Sequence, residues 1–218
     1  IPMLLQGRMV GIIGVGGKIT GKPFTGDDIT FLESISAVAA SAVHNAITIA
    51  ALQGSNRQLD SKVQAMNTLF ELSREMSASF DEQTILRTLG YALMGQMRAM
   101  RYAVFSVNGT VIAPLLHKLE TAEIDAHEAP HEIAPHLPIV FSDSRPPALP
   151  WEAWLFQLGL KVVIPMTAQN ETRGLLCLGE RLGAAEYDAS EIEYLDALGT
   201  ITMSALENAR LVVEMLGK

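Results

Sequence analysis

The chain repeats part of itself, and that constrains its fold more than any other feature. IPMLLQGRMVGIIGVGGKI at residues 1–19 aligns without a gap onto IPMTAQNETRGLLCLGERL at residues 164–182, a constant offset of 163 positions. The match runs on: Phe24 meets Tyr187, Asp28 meets Glu191, Phe31-Leu32 meets Tyr194-Leu195, Ser41-Ala42 meets Ser204-Ala205 and Asn45-Ala46 meets Asn208-Ala209. One unit therefore occurs twice, the first time without its front half. A lone hairpin is marginal in water, so the edge of Ile1–Val15 is expected to be covered by a neighbouring chain.

Local patterns give the unit a shape. Val162–Ala168 and Thr172–Gly179 are apolar runs separated by Gln169-Asn170-Glu171, the pattern of a β-hairpin; Ile1–Leu5 and Met9–Val15 around Gln6-Gly7-Arg8 are the parallel case. Acidic helix starts follow each, at Asp27-Asp28 and at Asp188 with Glu191, where negative charge meets the positive end of a helix dipole. The second helix carries a stripe of Ile192, Leu195, Leu198, Ile201, Ala205, Asn208 and Val212. Upstream, Asp81 caps a helix over Gln83–Met97, and Tyr102–Val107, a turn at Asn108-Gly109 and Thr110–Ala113 form a further hairpin. Residues 114–150 read as an irregular loop around a strand at Pro138–Phe141, and Trp151–Leu158 as a short helix. Residues 27–79 keep an apolar three/four rhythm with a kink or break at Gly54-Ser55-Asn56; roughly 50 helical residues would reach about 75 Å. The whole is an α+β pattern, one antiparallel sheet with flanking helices plus a long helical connector.

Composition narrows the function. With 218 residues, 49% hydrophobic and 18% charged, the chain has enough apolar mass for a sizeable core. A net charge of −8 without a basic stripe argues against nucleic acid or an anionic membrane surface as partner. A single cysteine, Cys177, excludes an internal disulfide and fits a reducing, cytoplasmic setting. No apolar run long enough for a membrane span is expected, and the initial Ile points to a piece of a longer polypeptide.

The glycine-rich GIIGVGGKIT at residues 11–20 is not a phosphate loop. Ile12 stands where a Walker A loop needs its first glycine, and Ile19 follows Gly17-Lys18 where Ser or Thr is required. In the repeat only Gly11 and Gly16 recur, as Gly174 and Gly179, which suits close packing or a bulge within strands. DAHEAPHEIAPH at residues 125–136 offers His127, His131, His136, Glu128 and Glu132 as metal ligands, but Pro130 and Pro135 break the helical spacing that would bring them together, so a solvated acidic loop and no metal are expected.

The order helix, hairpin, loop, strand, short helix, hairpin, helix, with IPM, RGLLCLGE, the aromatic Tyr187 and EIEYLDALGTITMSALENARL, resembles the GAF domain family of small-molecule sensors related to PAS domains. The resemblance divides the chain into the C-terminal half of a first GAF domain at 1–50, a helical linker at 51–79 and a complete GAF domain with a C-terminal signalling helix at 80–218. It implies a non-catalytic regulatory module of a bacterial signalling protein that binds a small ligand or dimerises through its helices, and relays its state to an output domain elsewhere. A dimerisation scaffold without a ligand is the alternative, and a GAF-like enzyme a third. Family members that reduce free methionine sulfoxide use several cooperating cysteines, bilin-binding members need a cysteine that 114–160 lacks, and the Asn-Lys-Phe-Asp-Glu signature of cyclic-nucleotide binders is not recognisable, so no cofactor is expected. A ligand pocket would lie between the sheet and the 114–160 loops, lined by Tyr102, Phe105, Phe141, Trp154 and Cys177, although Cys177 in its apolar run also reads as a small buried hydrophobe.

Overall fold

A computed structural model describes residues 1–120, 124–129, 133, 135–183 and 186–216. The chain separates into two compact units, Ile1–Gln64 and Ala65–Lys218.

The first unit holds β1 (Pro2–Leu5), β2 (Arg8–Ile12) and most of α1 (Gly26–Ser77). Gln6 and Gly7 turn the hairpin with φ of 51° and 78°, as a two-residue turn between right-twisted strands demands. β2 ends at Ile12, short of the expected Val15. Met3 is buried, and Ser36 and Ala40 of α1 are buried with it; the Ser36 hydroxyl donates to the Pro2 carbonyl at 2.7 Å. Among the described residues no other strand pairs with either outer edge of this two-stranded sheet. Of the kink or break expected at Gly54-Ser55-Asn56, the break does not occur, and α1 runs on through it: small and polar residues lower helix propensity by a fraction of the cooperative gain of a long helix. The helix also contains an 18-residue window of mean hydropathy 1.6 with at most two charged residues, apolar enough to cross a membrane by length and composition. The expectation that no such run exists does not hold, because alanines and β-branched residues bridge the polar His44 and Asn45.

The second unit is built on a six-stranded antiparallel sheet of order β5-β4-β3-β8-β7-β6, from β3 (Tyr102–Asn108), β4 (Val111–Lys118), β5 (His127–Glu128), β6 (Ile139–Val140), β7 (Leu160–Ala168) and β8 (Glu171–Gly179). Its helices are the end of α1, α2 (Glu82–Gly95), α3 (Pro150–Gln157) and α4 (Ala189–Leu216). α2 starts where Asp81 accepts the Thr84 amide at 3.0 Å, and the Thr84 hydroxyl contact is the largest cause holding the Asp81 carboxyl below the usual carboxylate range. The β3–β4 turn is Gly109-Thr110, one residue later than expected, because Gly109 supplies the positive φ, 61°, at the first turn position. β4 runs to Lys118, deep into the stretch read as loop, and β5 adds a strand that the sequence pattern did not mark.

Both faces of this sheet are covered. Tyr102, Val104, Ile164, Met166, Leu176 and Leu178 face Leu89 and Leu93 of α2, Leu195, Leu198 and Leu206 of α4, and Met76 of α1. Ala103, Phe105, Val163, Leu175 and Cys177 face Trp151 and Leu155 of α3, together with Ile133, Ile139 and Phe141. The expected stripe of α4 is buried at Leu195, Leu198 and Ala205 and partly buried at Ile192, Ile201 and Val212; Asn208 is exposed instead, and Thr202, Leu206 and Ala209 widen the buried face.

The aligned positions of the two units adopt the same local structure. Pro2, Met3, Leu4 and Leu5 pair with Ile12, Gly11, Met9 and Arg8; 163 positions on, Pro165, Met166, Thr167 and Ala168 pair with Leu175, Gly174, Thr172 and Glu171. The register slips at the same place, after Met3 and after Met166. Gln169-Asn170 turns with φ of 52° and 64°, as Gln6-Gly7 does. Lys18 pairs with Asp28 and lies 5.3 Å over the Phe24 ring; Arg181 pairs with Glu191 at 2.6 Å and lies 5.1 Å over the Tyr187 ring. The helix starts close alike, Asp28 accepting the Thr25 amide at 2.6 Å and Glu191 the Asp188 amide at 2.9 Å.

Candidate functional site

On the Phe105 face of the sheet, side chains fill the space around Trp154. Phe105 sits 5.4 Å from Trp154, and His127 stacks on the same indole at 4.6 Å and 9° between planes. Phe105, Leu155, Val163 and Cys177 are fully buried around them. Of the five expected lining residues, Phe105, Phe141, Cys177 and the half-buried Trp154 meet in this one core. Tyr102 does not join them. Strand alternation turns it to the opposite face, where it borders a depression of about 370 Å³ between α2 and β4, with Leu86, Gly90, Tyr91 and Met94.

A larger cleft, of about 550 Å³, lies between β7 and β8 of the sheet and residues 140–156 of the 114–160 segment. Three segments far apart in sequence form it: the exit of β6 with Phe141, Ser142, Asp143, Pro146 and Pro147; the α3–β7 passage with Phe156, Lys161 and Val162; and the β8–α4 connection with Glu180, Arg181, Glu186 and Tyr187. The Phe141 and Phe156 rings meet edge to face at 5.9 Å and give it an aromatic wall. α3 is held in place for this by Glu152, a buried carboxylate that accepts the Ala148 and Leu149 amides at 2.7 and 3.2 Å.

The mouth is charged and internally paired. Lys161 donates to Glu180 at 2.9 Å, which is the chief reason the Glu180 carboxyl is held below its ordinary range; Arg101 adds to this. Arg181 donates to Glu191 at 2.6 Å and to the Glu186 carbonyl at 2.7 Å. Burial pushes the Tyr187 hydroxyl up to about 12, with Arg181 opposing and Glu191 reinforcing, and it donates to the Gly179 carbonyl at 3.3 Å. Glu191 accepts the Asp188 amide as well, so one carboxylate serves both the cleft wall and the first turn of α4. An apolar floor beneath paired charges suits a small molecule with an apolar body and a polar head.

Sequence reasoning placed only Phe141 in this cleft. Lys161, Glu180, Arg181, Glu186, Tyr187 and Phe156 were missed, although the aligned pairs Lys18/Arg181 and Phe24/Tyr187 marked two of them as recurring features. Cys177 is buried, and burial pushes its thiol well above the ordinary range, so the reactive thiolate is disfavoured. Of the histidine cluster, His131 and Glu132 lie outside the described residues; His127 is stacked on Trp154 with no hydrogen bond to Nε2 among the described residues, and His136 is exposed. Among the described residues no three His, Cys, Asp or Glu side chains are grouped to hold a metal ion.

No protein-family model matches this sequence, and no curated protein does. Solved structures do. The GAF domain of a phosphoenolpyruvate-protein phosphotransferase from Coxiella burnetii is similar at TM-score 0.52 and 13% identity, over 69% of this chain and 96% of that one. The GAF domain of a sensor histidine kinase from Pseudomonas syringae pv. tomato is similar at TM-score 0.50 and 17% identity, over 75% and 98%. A free methionine-R-sulfoxide reductase from Neisseria meningitidis, solved with its substrate, is similar at TM-score 0.51 and 13% identity, over 68% and 91%. Identities this low speak to architecture rather than activity, and together with the curled antiparallel sheet and its flanking helices they establish that this chain carries the α+β fold of a GAF domain.

Proposed function

We propose that residues 80–218 are a non-catalytic sensory and regulatory module that takes a small molecule in the cleft between Phe141, Phe156 and Arg181 and relays its occupancy through α4 to an output domain outside this sequence. The observation that carries the reading is the double duty of Glu191, which ties Arg181 in the cleft wall to the start of α4. A ligand that draws Arg181 toward itself competes for that carboxylate and so biases the helix between two arrangements. Sensor domains of the same fold, among them that of the histidine kinase, support a regulatory role. The reductase shows that the fold also hosts catalysis, but Cys177 is the single cysteine of this chain and is buried, which favours a non-catalytic reading.

In the same reading residues 1–50 are the second half of another such domain, 51–79 link the two, and two chains pair through their helices in the cytoplasm, with no nucleic acid or membrane partner in these residues. A thermal-shift screen of metabolites tests the ligand claim. A ligand at 100 times its dissociation constant adds about 2.7 kcal/mol of stability, and Arg181→Met should abolish that gain. If no compound stabilises the chain, a dimerisation scaffold without a ligand becomes the better reading, a view favoured by the filling of the other face by Phe105, Trp154 and Leu155.

A further inference from the structure

Residues 41–64 of α1 are exposed on every side. A helix this exposed draws mainly on propensity, which is marginal in water, and this stretch includes Gly54, the weakest helix former after proline. Its apolar residues are also not scattered. Ile49, Leu52, Leu59 and Val63 are 55%, 60%, 58% and 55% exposed, and with Asn56 they fall at alternating three- and four-residue steps. The same steps continue to Met66 and Phe70, 69% and 70% exposed. Arg57, Gln58, Ser61 and Gln64 take the positions behind.

We infer that α1 pairs with α1 of a second copy of this chain over Ile49–Val63 as a parallel, in-register, two-stranded coiled coil. β-Branched Ile49 and Val63 occupy one seam position and Leu52 and Leu59 the other, the distribution that favours two parallel strands. Asn56 sits in the first class, where two copies can bond each other across the seam only when the helices are parallel and in register. Antiparallel pairing would set the amide against a leucine and leave it unsatisfied. A bilayer accounts for the apolar stretch before Gln53 but not for the same apolar phase through Arg57, Asp60 and Lys62. Ile35, Ala42, Val43 and Ala46 are left out of the seam, because the aligned Leu198, Ala205, Leu206 and Ala209 are buried against sheet and helices, so that face of α1 matches a core surface.

The inference rests on the reading that two chains pair through their helices. Sedimentation of the full chain tests the pairing and cross-linking tests the register. The expected results are a dimer; rapid disulfide formation in Asn56→Cys, about tenfold or more faster than in Ser61→Cys on the outer face; and dimerisation at least about 100-fold weaker in a Leu52→Lys, Leu59→Lys double variant with unchanged tryptophan fluorescence. Asn56→Ile should hold a tighter assembly that admits trimers. A dimer in which Asn56→Cys links no faster than Ser61→Cys overturns the register alone. A monomer overturns both the inference and the pairing it rests on, as does a chain that needs zwitterionic lipid vesicles to stay in solution.

Discussion

The two hairpin–helix units share a turn, a register slip, a cap and a cation over an aromatic ring, yet one is wrapped in a six-stranded sheet and the other stands on two strands. Their glycines show what the surroundings add. A Cβ on Gly174 would lie 2.8 Å from the Phe105 carbonyl and one on Gly179 2.5 Å from the Gly159 carbonyl. On the aligned Gly11 it would meet only the Met3 sulfur at 3.4 Å, and on Gly16 nothing within 4 Å. The same residue type is thus required by a neighbouring backbone, that of β3 or of the turn before β7, in one unit and free in the other. Local sequence suffices for the hairpin; the partner strands account for the rest.

The comparison breaks most visibly at the helix. Leu195 is fully buried, so Leu195→Ala should cost about 2–5 kcal/mol in denaturant unfolding followed by Trp151 and Trp154, whereas the aligned, half-buried Leu32→Ala should cost about 1 kcal/mol or less. Gly174→Ala should cost about 1–3 kcal/mol through overpacking against β3, and Gly11→Ala should leave unfolding within about 0.5 kcal/mol. If the two glycine variants behave alike, the glycines answer to the hairpin and not to the strand beside it. Arg181→Gln, which removes a partly buried pair to Glu191, should cost about 1 kcal/mol, and Lys18→Gln less. The smallest effect is acid sensitivity. Asp28, through Lys18, and Asp81, through Thr84, are both held below the carboxylate range. Their contribution is complete above that range and is lost as pH falls below about 4, so helicity should drop there, and less steeply in Asp28→Asn and Asp81→Asn. Asp196, raised by burial, works in the opposite sense.

Much of this was legible in the sequence. The repeat located both hairpins, and the Asp81 cap and the strands ending at Gly179 followed from local rules. The side of the sheet taken by each aromatic was not legible. Both faces are buried, so Tyr102–Phe105 of β3 reads as an unbroken apolar run without the alternation that would separate Tyr102 from Phe105. That Phe105 and Trp154 pack into the core instead of lining the cleft escaped for a related reason: it depends on Trp154 meeting Phe105 and His127 across long stretches of chain. The cleft draws on three separate segments; Phe141 of the first was expected, the Arg181–Tyr187 stretch left a trace through its repetition at Lys18 and Phe24, and Phe156 and Lys161 left none.

Amide hydrogen exchange across both hairpins tests most directly whether one frame is held in two surroundings. Ile13 bonds across to Ile1 at 2.8 Å, so strand alternation turns the Ile12 amide to the edge that no described strand of this chain pairs with, whereas the aligned Leu175 faces Phe105 on β3. The account predicts slow exchange at Ile13 and Leu175 and fast exchange at Ile12. Fast exchange at Ile13, or an Ile12 as slow as Leu175, would contradict it.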